Sequence, residues 1–183
     1  MRSLMRRITV GVVGLLAVAT TATLVAAAPA GASTTAHPIH AQWSTGLRWP
    51  VVGPGSRGER VVTIQYLLQQ RGRGVRADGI YGPRTTAAVR SFQRSRGLRA
   101  SGVVSSATWN RLILTVRRGS RGSAVRAVQH SMRFAYGFRF QQVTGFFGPF
   151  TQRVVIAFQR GSRLPVTGIV FKQTWKTMVV FER

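Results

Sequence analysis

Asp78-Gly79-Ile80-Tyr81-Gly82-Pro83 returns 66 positions later as Thr144-Gly145-Phe146-Phe147-Gly148-Pro149. Reading downstream, the offset of 66 holds without a break: Thr85 matches Thr151, Val89 matches Val155, and Phe92-Gln93 matches Phe158-Gln159. Leu98 answers Leu164, Gly102 answers Gly168, and Thr108-Trp109 answers Thr174-Trp175. Reading upstream, the offset drops to 64, with G-S-R-G at 55–58 and again at 119–122, and Gln65 matching Gln129. Two residues were therefore inserted in one loop between Gln129 and Thr144. A self-similarity of this length means two copies of one structural unit.

Each copy reads as three short helices joined by glycine turns. Val61, Ile64 and Leu68 fall at i, i+3 and i+7, with Leu67 beside them, which predicts a helix near 58–71 ended by Gly72 and Gly74. Pro83, suited to a first helical turn, opens a second helix that turns Ala88, Val89 and Phe92 inward and ends at Gly97. A shorter third helix follows Ser105 or Ser106 as N-cap, with Trp109, Leu112 and Ile113 inward. The second copy offers Val125, Val128 and Met132, then Val154, Val155 and Phe158, then Trp175, Met178 and Val179. The expected fold is all-α: two tandem three-helix modules, at 51–115 and 116–183. A unit of about 60 residues buries only a modest core, so the two modules are expected to lean on one another.

The N-terminal region has a different grammar. Arg2, Arg6 and Arg7 precede an uncharged run from Ile8 to Val25, and Ala28-Pro29-Ala30 and Ala30-Gly31-Ala32 both fit an A-x-A cleavage site. This is the order of a secretory signal peptide over residues 1–32, with the protein expected outside the cell or on its wall. An uncleaved anchor is the alternative, since the run approaches the roughly 18 apolar residues that span a bilayer; membrane contact is otherwise limited to the leader before cleavage. The paired Arg6-Arg7 is a weak match to a twin-arginine route. Residues 33–50 have no sustained apolar period and read as a flexible lead-in. His37 and His40 form a lone H-x-x-H there, which is too few ligands for a metal site.

Charge and composition narrow the chemistry. The 183 residues hold 27 basic side chains, of which only Lys172 and Lys176 are lysine, against three acids, Glu59, Asp78 and Glu182, for a formal +24. Removing Arg2, Arg6 and Arg7 with the leader lowers this by three, to +21, so the charge belongs to the mature protein. Such a chain seeks polyanions. There is no cysteine, which excludes disulfides, thiolate metal sites and cysteine nucleophiles. Paired-carboxylate hydrolysis and clustered-oxygen metal sites find too few acids. His130 is the one module histidine, insufficient for a serine triad or a zinc centre. No enzyme activity, metal or cofactor is expected.

The combined string G-S-R-G, V-x-x-I-Q-x-L-L, D-G-I-Y-G-P-x-T, A-V-x-x-F-Q, G-L and T-W resembles the peptidoglycan-binding domain found beside bacterial cell-wall enzymes. The first copy matches from Val52 to about Leu114; the second departs in carrying Thr144 for the acid of the D-G pair. The resemblance implies a three-helix module that binds the glycan or the stem peptide of the wall, in proteins whose partner domains are amidases, peptidases, transpeptidases or glycosidases.

Within the motif, Gln65, Gln129, Gln93 and Gln159 sit beside core positions and need their amides paired, for which the backbone of the glycine loops is the natural partner. Trp109 and Trp175 have the spacing of core residues, although a tryptophan can also stack on a sugar. The ligand candidates are Asp78, Gly79, Tyr81, Gly82, Arg84 and Thr85, at the N-terminal end of the second helix, where a carboxylate is favoured and Arg84 can grip it. The second copy offers Phe147 and Thr151 with the more apolar Phe150 in place of Arg84. A structural role stands open for the same residues: Asp78 and Thr85 as turn caps, Tyr81 as a core plug. The expected function is a secreted, non-catalytic peptidoglycan binder, with anionic wall polymers as a second class of partner. The alternatives are polyanion or nucleic-acid binding, which no motif supports, and a targeting subunit for a separate wall hydrolase.

Overall fold

In a computed structural model of the protein, the residues described are 46–139 and 142–182. The leader, His37 and His40 lie outside them. Among the described residues six helices follow in order: α1 Glu59–Gln70, α2 Pro83–Ser95 and α3 Ser106–Leu112 in the first module, then α4 Ser123–Phe134, α5 Pro149–Gly161 and α6 Lys172–Phe181 in the second. The fold is all-α. Strand pairing among the described residues is confined to isolated antiparallel bridges, and these repeat: Val52 with Val104 and Val116 with Val170, Arg57 with Ile80 and Arg121 with Phe146.

Helix ends follow local chemistry. Pro83 and Pro149 sit in the first turn of α2 and α5, where a missing N–H is harmless. The second glycine of each G-S-R-G, Gly58 and Gly122, is the N-cap of α1 and α4 at φ of 102° and 107°, a region closed to side-chain-bearing residues, which explains the invariant pair across the copies. Ser105 takes the N-cap position of α3, but through its carbonyl alone, which receives the Trp109 N–H at 2.9 Å; its side chain forms no cap hydrogen bond. The α2 terminus closes through Gly97 at φ 65°, with Leu98 N–H returning to Gln93 O at 2.9 Å. At the matching end of α5 the left-handed residue is Arg163, φ 54°.

The apolar faces read from the periodicity are inward. Val61, Ile64, Leu67, Leu68, Val89, Phe92, Trp109 and Leu112 are buried in the first module, with Ala88 and Ile113 packed partly buried against them. Val125, Val128, Met132, Val154, Val155, Phe158, Trp175, Met178 and Val179 do the same in the second. Trp109 and Trp175 are fully buried and their indole N–H groups donate to Pro50 O at 2.8 Å and Leu114 O at 2.6 Å, so both are core residues. Trp49 is buried as well, stacked on Trp109 with ring centres 5.4 Å apart. The packing of the first module thus begins at Trp49, within the stretch read from sequence as lead-in.

The two modules join through α1 and α4, which pack antiparallel. Glu59 at the start of α1 lies 2.8 Å from His130 near the end of α4, Thr63 bonds Ser131 at 2.9 Å, and Gln70 at the end of α1 accepts the Ala124 N–H at the start of α4 at 3.1 Å. Glu59, Thr63, Tyr66 and Gln70 form one helical stripe at i, i+4, i+7 and i+11. Arg60 spans the same boundary, donating to the carbonyls of Val179, Val180 and Glu182 at 2.6, 3.2 and 2.7 Å and capping the C-terminus of α6. The cores merge into one apolar cluster.

Candidate functional site

Four glutamines build the loops that carry the candidate residues. Gln65 accepts the Gly79 N–H through Oε1 at 2.9 Å, and its Nε2 donates to Asp78 Oδ1 at 2.8 Å, Ile80 O at 3.0 Å and Thr85 Oγ1 at 3.1 Å. Gln129 repeats this with Gly145 N–H at 2.9 Å, Thr144 Oγ1 at 3.2 Å, Phe146 O at 3.0 Å and Thr151 Oγ1 at 3.2 Å. Gln93 does the same one helix later, with Gly102 N–H at 2.9 Å, Val103 O at 2.9 Å and Thr108 Oγ1 at 3.0 Å. Gln159 takes Gly168 N–H at 2.9 Å, Ile169 O at 2.8 Å and Thr174 Oγ1 at 3.2 Å. One device is used four times: a buried helix glutamine, a polar-Gly-apolar loop, and a threonine of the next helix. The amide saturates both its donor and acceptor sides, so a polar group sits in the core without penalty.

This geometry defines what each candidate residue does. Asp78 Oδ1 accepts the Ile80 N–H at 3.0 Å, and this bond together with that from Gln65 holds the carboxyl below the usual carboxylate range. Thr144 Oγ1 takes the same N–H, from Phe146, at 3.1 Å. The exchange of Asp for Thr between the copies therefore leaves the turn intact and removes only a charge. Gly79 (φ 73°) is buried against Val62 and Gly58; a Cβ there would lie 3.3 Å from Val62 Cγ2. Tyr81 is buried, and its hydroxyl donates to Gly102 O at 2.7 Å; burial pushes its phenol well above the ordinary value. Phe147 fills the matching place without a hydroxyl, and Thr85 and Thr151 are buried in the glutamine clusters.

Five of the eight candidates, Gly79, Tyr81, Thr85, Phe147 and Thr151, thus face inward and support the turn. Asp78 and Arg84 stand exposed, with Gly82 half-buried between them. These border an open groove of about 410 Å³, together with Arg76, Ile80 and Pro83, at the N-terminal end of α2. The second module holds the corresponding groove at the start of α5, about 850 Å³, bordered by Arg139, Gln142, Thr144, Phe146 and Phe150. Phe146 and Phe150 are substantially exposed, and the Arg121 and Arg153 guanidinium carbons lie 4.4 and 5.7 Å from their ring centres. The corresponding grooves differ in kind: the first is bordered by Arg76, Asp78 and Arg84 and no aromatic ring, the second by one cation, Arg139, and two aromatic rings.

A further groove, of about 720 Å³, lies on the other side of Ile80 and Pro83 in the first module, bordered by Arg57, Arg90 and Arg94. Sequence reasoning missed these three. Arg57 lies on a loop more than thirty positions from Arg90 and Arg94, which share one face of α2, and an exposed arginine in a chain with so many carries no signal of its own.

The described chain is thus two tandem three-helix modules, each with a glutamine-locked turn beside an open groove at a helix N-terminus. The chain belongs to the family described as "Putative peptidoglycan binding domain", whose sequence profile matches residues 57–112 and 121–178. Two solved structures are similar to it. One is a peptidoglycan-binding protein from Clostridioides difficile in complex with glutamine hydroxamate, 38% identical over 34% of this chain and 40% of that one, TM-score 0.34. The other is a fused Zn-dependent amidase/peptidase/peptidoglycan-binding domain-containing protein from Clostridium acetobutylicum ATCC 824, 29% identical over 53% of this chain and 48% of that one, TM-score 0.36. The chain thus spans less than half the length of either. No curated protein matches it.

Proposed function

We propose that the protein is a secreted, non-catalytic binder of bacterial peptidoglycan that engages glycan or stem peptide through its two modules. The observation that carries this reading is the pairing of two family modules with an open groove at the same place in each, at the N-terminal ends of α2 and α5. In the first module Arg84, beside the positive end of the α2 dipole, suits a carboxylate such as a stem peptide ends in. In the second, Phe146 and Phe150 offer faces on which the apolar side of a sugar ring can lie. Recognition is then divided: charge in one module, stacking in the other. Two weak contacts joined on one rigid body reinforce each other through effective concentration.

Co-sedimentation of the purified protein with sacculi, before and after stripping of accessory polymers and across a salt series, tests this. Binding that survives stripping and high salt is expected. Binding that vanishes with either treatment would reduce the interaction to the positive charge and end the proposal.

A further inference from the structure

The groove bordered by Arg57, Arg90 and Arg94 is a site distinct from the turn grooves, and its chemistry points elsewhere than to peptidoglycan. All three arginines are exposed, and they surround an apolar floor of Pro54, Ile80, Pro83 and Ala87. Arg90 lies across the bare backbone of Gly102; a Cβ there would stand 2.9 Å from Arg90 Nε. The glycine therefore leaves room for the Arg90 side chain to lie against the loop backbone beside the groove.

None of the chain's carboxylate side chains neutralises this groove. Glu59 is committed to His130 and Glu182 is buried at the module boundary. Asp78 borders the adjoining groove, where Gln65 and the Ile80 N–H hold it. Three exposed guanidinium groups around one concave surface are therefore open to anions from outside, and planar guanidinium matches phosphate oxygens two at a time.

The second module keeps two of the three arginines, Arg121 for Arg57 and an exposed Arg160 for Arg94, but not the full set. Arg90 is replaced by Ile156, and Arg121 is drawn over the Phe146 ring at 4.4 Å, where the first module has Ile80 and no ring.

We propose that this groove binds a phosphodiester-linked polymer of the cell wall, with successive phosphates meeting Arg57, Arg90 and Arg94. Three charges call for a ligand whose anions recur along a chain, which a stem peptide with a terminal carboxylate does not supply. Nucleic acid has recurring phosphates too, but single strands are held by stacking bases on aromatic rings, and Tyr81, the groove's one aromatic lining residue, is buried. The choice of a wall polymer over nucleic acid rests on the wall-binding reading above; the affinity for phosphodiesters does not.

The test compares Arg57→Gln/Arg90→Gln/Arg94→Gln with a charge-matched control, Arg111→Gln/Arg117→Gln/Arg118→Gln, whose arginines are also exposed. Each is titrated with poly(glycerol phosphate), with a single-stranded oligonucleotide of equal phosphate number, and with polymer-free peptidoglycan, after circular dichroism confirms folding. The groove variant is expected to lose about tenfold or more in affinity for poly(glycerol phosphate), and to flatten the slope of log K against log salt by about two; the control changes little. Peptidoglycan binding by the groove variant stays at the wild-type level. Equal losses in both variants would overturn the site in favour of diffuse charge. A loss confined to peptidoglycan would assign the groove to that ligand instead, and wild-type binding to the oligonucleotide as tight as to the polymer would remove the wall-polymer assignment. Failure of the wild-type protein to bind polymer-free peptidoglycan would refute the earlier reading alone.

Discussion

Thr63 and Glu182, 119 positions apart in the chain, share a hydrogen bond of 3.1 Å across the module boundary. Ser131 of α4 donates to the same Glu182 oxygen, so a hydroxyl from each module grips one buried carboxyl. In a chain with three acids, two stand at this boundary, the second being Glu59 against His130. The modules are thereby held as one body with their grooves at a set spacing.

That carboxyl makes stability depend on pH. Burial pushes Glu182 up to about 7 from 4.5, against the opposing pull of the Ser131 and Thr63 hydroxyls and of Arg60; Glu59 adds to the rise. A raised carboxyl pKa means the folded state holds its proton more tightly than the unfolded chain does. Its contribution is complete below about pH 4.5 and disappears as pH rises through about 7. Thermal or denaturant unfolding is therefore expected to show a loss of up to about 3 kcal/mol from this group between pH 5 and pH 8. Glu182→Gln should flatten that limb. His130 works in the other sense: burial disfavours its charged form, outweighing the favourable Glu59, so its contribution fades as pH falls below the ordinary histidine value.

The glutamine device is a structural necessity rather than a ligand contact. Gln65→Ala removes partners from the Gly79 N–H, Ile80 O and Thr85 hydroxyl at once, within the core. A destabilisation of roughly 2–4 kcal/mol is expected by chemical denaturation. Gln129→Ala should cost a similar amount, since its partners are the same in kind. A value near zero for either would show that water replaces the amide.

Arg60 is the strap between the modules. Removing it strands the terminal carbonyls of α6, for which about 1–3 kcal/mol is expected, together with faster amide exchange in α6. Tyr136, whose hydroxyl donates to Met178 O at 2.7 Å, should retain part of the helix end. Unchanged exchange in Arg60→Ala would refute the strap.

At the end of α5, Arg163 occupies a left-handed conformation for which the first module uses Gly97. Gly97→Ala should destabilise by about 1 kcal/mol, since a Cβ is strained in that conformation. Denaturant titration of the variant against the wild type reads the difference directly.

Binding and folding can be separated at the turn. Arg84→Ala and Phe150→Ala alter exposed side chains and are expected to weaken sacculus binding several-fold, about 1 kcal/mol each, with melting temperature nearly unchanged. Tyr81→Phe removes only the bond to Gly102 O and should cost about 1 kcal/mol of stability while binding persists. A Tyr81→Phe variant that folds normally but loses binding would place the phenol at the ligand after all.

Much of this was legible in one dimension. The doubled hexapeptide announced two modules, and the spacing of Val61, Ile64 and Leu68 located α1 to within a residue at each end, because apolar periodicity reports directly on burial. The pairing of Gln65, Gln93, Gln129 and Gln159 with glycine loops was legible for the same kind of reason, since a polar group beside a core must find a partner. The inward turn of Tyr81 and Thr85 was not, because residues next to a helix start can serve a ligand or the core with equal local chemistry. The module boundary was hidden too. Its stripe of Glu59, Thr63, Tyr66 and Gln70 is polar, and reads as a solvated face until the partner stripe on α4 is brought against it.

The sequence by itself therefore determined the number of modules, their helices, their family and the strong excess of positive charge, all of which depend on local pattern or on counting. Only the tertiary structure decided that Glu59 and Glu182 join the modules, that Asp78 and Thr144 are interchangeable in the turn, and that Arg57, Arg90 and Arg94 ring one groove. Those facts depend on which polar groups meet across the chain. Polar meetings leave no period in the sequence, because each is set by a single pair of atoms rather than by a face.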